Sequence, residues 1–280
     1  MGSVSTHELR DDDVNVLTSS PQIELPVESY AAAPIVEAIM SIEVEPRLGL
    51  ELDSLENVYG DQDTFSGPTV TAEAVGEVRY TLSDPPTATR DAHIKGYTFE
   101  SSATPYSEEG EHVAFCGATE FVYSTTEKYL TWERFLAHAT NALSSYVAAV
   151  APRRIVAVGI RYINKIELPD RVTDIRDYVR TTVEIPSFLT QSAVGFFGKI
   201  VLPIAEEGTV AITTASLPSD GDEPGGVQVV LDIDARRPVV IDVSAERMGD
   251  QLVDELASLR AVKNYAFEAS ITDATRSLIR

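Results

Sequence analysis

Strict alternation of apolar and polar positions predicts two long, half-buried strands. In residues 35–45 the apolar side chains of one parity are Val36, Ala38, Met40, Ile42 and Val44. In residues 155–168 they are Val156, Val158, Ile160, Tyr162 and Ile166. Polar residues dominate the other parity in both stretches, so each strand is expected to turn one face to a core and one to solvent.

Apolar residues spaced three and four apart predict two long helices. The stripe of the first is Trp132, Phe135, Leu136, Ala139, Leu143, Tyr146, Val147 and Val150. Thr131 precedes it as the expected N-cap. The second runs from residue 245 to residue 262 with Ser244 as its cap, and its stripe is Met248, Leu252, Leu256, Leu259 and Val262. Residues 265–268 are expected to follow that helix, and a last short helix over 273–279 is capped by Thr272.

Short strands and short helices fill the remaining segments. Before the first long helix, the pattern predicts an antiparallel meander of strands at 69–82, 92–101 and 112–124. Before the second, it predicts strands at 198–204, 208–216, 227–234 and 238–243. Short helices at 50–58 and 173–182 follow the two long strands.

The repeated order of elements predicts an α+β protein of two similar halves. Each half consists of a long strand, a short helix, an antiparallel strand meander and a long helix packed on the sheet. We assign residues 30–152 to the first half and 153–280 to the second, and interpret residues 1–29 as a flexible acidic N-terminal arm. Such halves leave the uncovered face of the sheet, or the seam between them, for a ligand or partner.

The charge of the chain argues against two classes of partner. Forty-four acidic and 22 basic residues give a net charge of -22, which repels phosphate backbones and anionic lipids, so no nucleic acid and no membrane is expected as a partner. One cysteine, Cys116, excludes an internal disulfide and is expected to be a buried apolar filler. No apolar run approaches the roughly 18 to 20 residues needed to cross a bilayer. The cytoplasm is therefore the expected location.

Four segments stand out by their order and spacing. They read YAAAPIVEAIMSIEVE at 30–45, YLTWERF at 129–135, RYINKIELP at 161–169 and LRAVKNYAFEASIT at 259–272. Together they resemble a sporadically distributed prokaryotic protein family of unknown function. The resemblance implies no activity or catalytic residues. The patchy distribution of that family is typical of mobile or defence-associated genes and implies a regulatory or recognition role.

The first candidate site is a group of polar residues in the second long strand. Asn164 lies on the inward parity, where a polar side chain needs hydrogen-bond partners. Arg161 and Lys165 lie on the opposite parity and are among the few cations able to line a cleft. One interpretation is that Arg161, Asn164 and Lys165 bind an anionic ligand. The other is that Asn164 makes a core hydrogen bond to the helix of Trp132 or to Glu268.

The second candidate site is acidic. Alternation projects Glu43, Glu45 and Arg47 to one side of the first strand, an arrangement that resembles the ExExK strand of tunnel-shaped triphosphate hydrolases. In such a site carboxylates hold a divalent metal against a triphosphate, and Asp232 and Asp234 could supply further carboxylates. The cofactor would then be Mg²⁺ or Mn²⁺. The competing interpretation is a solvent-facing acidic edge with no metal or other cofactor.

These patterns favour a non-catalytic recognition or regulatory protein that acts with a protein partner as an accessory component of a mobile or defence-type locus. One alternative is a metal-dependent hydrolase of phosphorylated substrates using Glu43 and Glu45. Another is an acidic nucleic-acid mimic. The four histidines have no metal-binding spacing: His7, His93, His112 and His138. A homo-oligomer is compatible with all three functions.

Overall fold

The computed structural model describes residues 30–60, 65–81, 84–101, 111–126, 129, 131–169, 174–190, 195–218 and 227–280. The predicted acidic arm, including His7, lies outside these residues. The strands are β1 (Ile35–Glu45), β2 (Ser66–Thr81), β3 (Asp84–Glu100), β4 (His112–Gly117), β5 (Glu120–Thr126), β6 (Arg154–Glu167), β7 (Phe197–Pro203), β8 (Thr209–Pro218) and β9 (Val227–Asp242). The helices are α1 (Trp132–Val150), α2 (Met248–Ser270) and α3 (Asp273–Ile279), and two short 3-10 helices, Leu52–Asn57 and Ile175–Asp177, follow β1 and β6.

The strands of the described chain form one antiparallel sheet in the order β2-β3-β4-β5-β1-β6-β9-β8-β7. β1 and β6 pair at its centre, with Ala38 opposite Tyr162. We call this β1–β6 boundary the seam. On one side of it, β1 pairs with β5, the last strand before α1; on the other, β6 pairs with β9, the last strand before α2.

The helices cover one face of this sheet, and the core lies between them. Alternate residues of β1 are fully or almost fully buried on that face, namely Ala38, Met40, Ile42 and Val44. α1 packs on β5, whereas α2 packs on β9, β6 and β8. Burial of the larger side chains among them, Met40, Ile42 and Val44, contributes about 1.5 to 3 kcal/mol each. The predicted α+β class is confirmed.

Two of the predicted helix caps are confirmed. The Thr131 hydroxyl accepts a hydrogen bond from the Arg134 amide at 3.3 Å, at the start of α1. The Thr272 hydroxyl accepts from the Thr275 amide at 3.5 Å, at the start of α3. Each bond satisfies one amide that has no partner within its helix.

A β-bulge near the start of β6 reverses the predicted facing of one residue. The pairing of β6 with β9 shifts register between Ile155 and Ala157, and the pairing of β6 with β1 shifts opposite the same place. Because an extra residue in one strand reverses its alternation, Ile155 is fully buried and Val156 is not. The prediction that Val156 faces the core was wrong. The inward positions from Val158 onward are confirmed.

β9 is a single strand, whereas the sequence predicted a break before Pro238. The last pair between β8 and β9 joins Thr209 to Arg236, so Pro238 has a strand neighbour on one side only. The missing amide of proline therefore breaks no ladder bond on the other side. The opposite error occurred at 112–124, where the predicted single strand is a hairpin of β4 and β5 that turns at Ala118 and Thr119.

α2 begins and ends later than predicted. Its N-cap is Arg247, while the amide and hydroxyl of Ser244 both donate to the Asp242 carboxylate in a turn that ends β9. The helix continues to Ser270, so residues 265–268 lie within it and not after it. The predicted helix at 173–182 is only the 3-10 turn Ile175–Asp177 in the described residues. The longer α2 brings more of its residues over the seam.

Candidate functional site

Aromatic side chains from both sides of the seam meet on the helix-covered face. Tyr129 precedes α1, Phe135 lies in the first turn of α1, and Tyr162 projects from β6. The Tyr129 and Tyr162 hydroxyl oxygens are 3.0 Å apart, and their rings meet edge to face at 5.3 Å. The Phe135 ring is 6.1 Å from Tyr129 and 6.3 Å from Tyr162. Aromatic pairs of this kind add about 0.5 to 1.5 kcal/mol each beyond burial.

Two cations of α2 lie against aromatic rings in the same place. The Nζ atom of Lys263 is 3.9 Å from the centre of the Tyr162 ring, and Cζ of Arg260 is 5.2 Å from the ring of Trp132. Residues three apart share a helix face, so the two cations are neighbours. We call Tyr129, Trp132, Tyr162, Arg260 and Lys263 the seam cluster. Within the described chain, neither cation forms an ion pair with a carboxylate.

Lys263 is buried, with 8% of its surface exposed. Burial, and after it the neighbouring charge of Arg260, lower the pKa of its ammonium group to about 7 against the opposing effect of Glu268. Moving an ammonium ion out of water costs several kcal/mol, whereas a desolvated cation–π contact returns about 2 kcal/mol. The contacts made by the protein therefore compensate the charged form of Lys263 only in part.

Glu268, the carboxylate that acts on Lys263, is engaged by other groups. Tyr30 donates its hydroxyl hydrogen to Oε1 of Glu268 at 2.7 Å, and Arg276 donates from Nε to Oε2 at 2.9 Å. Side-chain exposure is 3% for Arg276 and 6% for Glu268, so this ion pair is buried and the two charges balance. The seam cluster thus carries the positive charge of Arg260 and, below about pH 7, that of Lys263 as well.

The two tyrosine hydroxyls of the seam cluster provide a further donor. Burial raises the pKa of Tyr129 and of Tyr162, so both groups stay protonated at neutral pH. Only one of their two hydroxyl hydrogens is used in the 3.0 Å bond between them. The second hydrogen can be donated to an acceptor from outside the pair.

All four segments that carry the family resemblance contribute residues to this place. The first supplies Tyr30, the second Tyr129 and Trp132, the third Tyr162, and the fourth Arg260, Lys263 and Glu268. Tyr30 and Glu268 are 238 positions apart in the chain. The first and third segments also pair directly, since the Lys165 amide donates to the Pro34 carbonyl at 2.8 Å.

The predicted group of Arg161, Asn164 and Lys165 is divided between the two faces of the sheet. Asn164 is buried, and its amide nitrogen donates to the Leu231 carbonyl of β9 at 2.9 Å. The core hydrogen bond expected for Asn164 therefore exists, but its partner is a strand backbone and neither α1 nor Glu268. Arg161 lies on the open face, where its Nε and Nη2 atoms donate to Asp232 at 2.8 and 2.7 Å. Lys165 shares that face and is partly buried.

The predicted carboxylates are also on the open face, at two separate levels. Glu43 lies opposite Ala157, which lies opposite Pro238, whereas Asp234 lies opposite Arg161. Asp234 is thus four residues, about 13 Å, along β9 from the level of Glu43.

Several of these carboxylates are paired with arginines. Glu45 pairs with Arg153 at 3.0 Å and with Arg154, and Asp234 pairs with Arg236 at 2.7 Å. Within the described residues, no group of three or more His, Cys, Asp or Glu side chains could hold a metal ion.

A cavity of about 250 Å³ lies beside Glu43 on the open face. Its lining combines carboxylates, arginines and hydroxyls: Ser41, Glu43, Ala157, Val158, Glu207, Thr209, Arg236, Arg237 and Pro238. The arginines of this lining already contact acidic groups, Arg236 through Asp234 and Arg237 through Glu206 and Glu255. The two arginines of the cavity are therefore already paired within the protein.

Cys116 and Trp132 have the core positions that the sequence predicted. Cys116 is fully buried, and burial raises the pKa of its thiol to about 12, so the thiol stays protonated and unreactive at neutral pH. Trp132 is 7% exposed and packs 6.0 Å from Phe135. Its outer contact is the guanidinium of Arg260.

Lys263 was missed because the sequence prediction ended α2 at Val262, and Arg260 was missed because it lies within the predicted helix but off its apolar stripe. The stripe Leu252, Leu256 and Leu259 continues at a spacing of four to Lys263, which therefore occupies a core position of the helix. A lysine on an apolar stripe was the available signal.

Comparison of the chain with protein-family models and with curated proteins gives no match. Among the described helices, none combines the length and apolarity needed to cross a membrane.

Proposed function

We propose that this chain is a non-catalytic recognition or regulatory protein and that the seam cluster is its recognition site. One observation carries the proposal: Arg260 and Lys263 lie against aromatic rings without an ion-pair partner among the described residues. A buried cation without a counter-charge destabilises the protein, so function is the better reason for its presence. An arrangement of donors and rings without a nucleophile or metal ligand suits binding more than catalysis.

The proposal includes an internal duplication. Each proposed half has a long strand, a 3-10 helix, a meander and a long helix, and in each the long strand pairs with the last strand of the meander. The seam cluster draws Tyr129 and Trp132 from the first half, and Tyr162, Arg260 and Lys263 from the second. A ligand or partner bound there contacts residues of both halves.

No contact within the described residues favours the metal-dependent hydrolase. Glu45, Asp232 and Asp234 each pair with an arginine, and the register separates Glu43 from the aspartates. The acidic mimic rests only on the net charge of -22. Recognition at the seam is therefore the function that we put first.

The proposal is tested by recovering partners of tagged protein from native cells. We compare wild type with Lys263→Met and with Lys199→Met, a matched control on the exposed strand β7. If a protein partner depends on the seam cluster, its recovery is expected to fall about tenfold with Lys263→Met, the effect of losing one charged hydrogen bond. It is expected to be unchanged in Lys199→Met. Equal recovery with all three proteins, each folded by circular dichroism, would contradict the proposal.

A further inference from the structure

We infer that the seam cluster binds a dianionic oxyanion group, such as the phosphoryl group of a small phosphorylated molecule. This inference rests on the proposed recognition function and specifies the chemistry of its ligand. It follows from a count of charges and donors in the seam cluster and its surroundings.

Two cations of the cluster, Arg260 and protonated Lys263, are contacted by no carboxylate of the described part of the protein. Arg276 is matched by Glu268 and by Asp273, at 2.9 and 2.8 Å. Arg260 and Lys263 have only ring contacts. A dianion balances both charges, whereas a monocarboxylate balances one.

The donors suit an oxyanion. Lys263 provides three N–H donors, Arg260 provides a planar fork of N–H donors, and the Tyr129–Tyr162 pair provides one hydroxyl hydrogen. These groups lie where α1 begins, and the positive end of a helix favours an anion. Arg260 is half-buried and Lys263 lies deeper, so the anion would contact Arg260 from solvent and reach Lys263 behind it.

Protonation of Lys263 links this binding to pH. The charged and titratable groups that act on it directly are Arg260 and Glu268 on α2 and the ring of Tyr162 on β6. Tyr162 in turn interacts with Tyr129 before α1 and with Glu133 in the first turn of α1. Tyr129 and Tyr162 remain protonated, and Glu268 is held by Arg276. Because the pKa of Lys263 is about 7, Lys263 is the group that changes charge near neutral pH. Affinity for the dianion is expected to fall as pH rises through this value.

The single tryptophan of the chain, Trp132, is a built-in reporter, because its ring contacts Arg260 at 5.2 Å. We titrate the full chain with sodium sulfate, which stays a dianion in the neutral range, at constant ionic strength below pH 7 and follow tryptophan fluorescence. Wild type and Lys199→Met are expected to show the same saturable change. Lys263→Met and Arg260→Gln are expected to bind roughly tenfold more weakly. Sodium acetate is expected to bind more weakly than sulfate to wild type.

Two outcomes overturn the inference: no saturable change in wild type, or equal sulfate affinity in wild type, Lys263→Met and Arg260→Gln. If Lys263→Met fails to fold, Lys263→Arg and Arg260→Gln replace it, with binding expected to survive in the first and fall in the second. Inorganic phosphate and a sugar phosphate distinguish a free anion from a phosphorylated molecule. If sulfate does not bind but a protein partner depends on Lys263, this inference is refuted and the recognition function stands. If sulfate binds but no protein partner depends on Lys263, this inference stands and the recognition function is refuted.

Discussion

The two faces of the sheet treat positive charge differently where β1, β6 and β9 run together. On the open face, Arg161 lies on Asp232 and Arg236 lies on Asp234, and both pairs are partly exposed. On the helix-covered face, Arg260 and Lys263 lie on Trp132 and Tyr162, and Lys263 is buried. The exposed arginines, which lose little free energy without a partner, form ion pairs, whereas buried Lys263, whose desolvation costs several kcal/mol, forms none with a described residue. This contrast is the reason why we propose the helix-covered face as the recognition surface.

The same contrast occurs within the helix-covered face. Arg276 is buried as deeply as Lys263 but donates to both the carboxylate and the carbonyl of Glu268. Tyr30 donates a hydrogen bond to the other oxygen of the Glu268 carboxylate. A buried cation can therefore have an ion-pair partner in this fold. The lack of such a partner for Lys263 among the described residues is specific to its position.

The largest effect is expected for Arg276→Met. This change leaves Glu268 buried with only Tyr30 as its partner, and removing one member of a buried ion pair costs about 3 to 5 kcal/mol. Urea unfolding measures the loss, with Arg180→Met on an exposed side chain as the control. A loss below about 1 kcal/mol, the range of exposed pairs, would show that the Arg276–Glu268 pair does not stabilise the fold as a buried ion pair should.

Lys263→Met is expected to act in the opposite direction and to stabilise the protein. The folded pKa of Lys263 is about 7, below its usual 10.5. Below pH 7 both folded and unfolded states carry the charge, and burial of that charge costs the most. Between these two values the unfolded state binds the extra proton, so wild-type stability rises with pH.

Urea unfolding of both proteins at about pH 6 and about pH 9 tests this linkage. The advantage of Lys263→Met is expected to be larger at the lower pH. An advantage that is the same at both values, or a loss of stability at the lower one, would mean that Lys263 is not desolvated.

Arg161→Met on the open face is expected to have a small effect. Its side chain is 42% exposed, and exposed ion pairs are worth about 0 to 1 kcal/mol. Urea unfolding measures this change, and the sulfate titration measures its effect on binding, which is expected to be nil. If Arg161→Met weakens sulfate binding as much as Lys263→Met does, the binding site is on the open face, where the sequence first placed it.

The smallest effect is expected for Glu43→Ala and Glu45→Ala. Because the register separates Glu43 from Asp234, neither change is expected to alter turnover of inorganic triphosphate with Mg²⁺ or Mn²⁺. Phosphate release from wild type and both variants is the measurement. Metal-dependent turnover that is lost in both variants would restore the hydrolase alternative.

Local periodicity predicted most of the fold, and tertiary contacts account for what it missed. The parity of β1 and the stripe of α1 follow from residues close in sequence, so both were predictable. The bulge at Ile155 and the passage of β9 through Pro238 depend on which strand lies alongside. The pairing of Arg161 with Asp232 joins residues 71 positions apart. The sequence could therefore place Arg161 on a face of the sheet but could not show that its guanidinium is paired with a carboxylate.

The candidate site was less predictable than the fold for the same reason. Tyr129, Tyr162 and Lys263 come from three distant segments, and no local spacing relates them. The segment of Lys263 was noted only for its resemblance to a family, and the predicted helix ended at Val262, one residue before Lys263 and eight before its observed end at Ser270. A lysine in phase with Leu252, Leu256 and Leu259 is the feature from which its burial could have been inferred.

The most direct test of the account is the pKa of Lys263, measured by NMR from the titration of its side-chain carbon next to Nζ, with Lys263→Met used to assign the signal. In the free protein the group is expected to titrate near 7. Sulfate is expected to raise that pKa, because an anion that binds the charged form must favour it. Titration of Lys263 near 10.5, or a pKa that sulfate leaves unchanged, would contradict the claim that the seam cluster holds a desolvated cation for an anionic ligand.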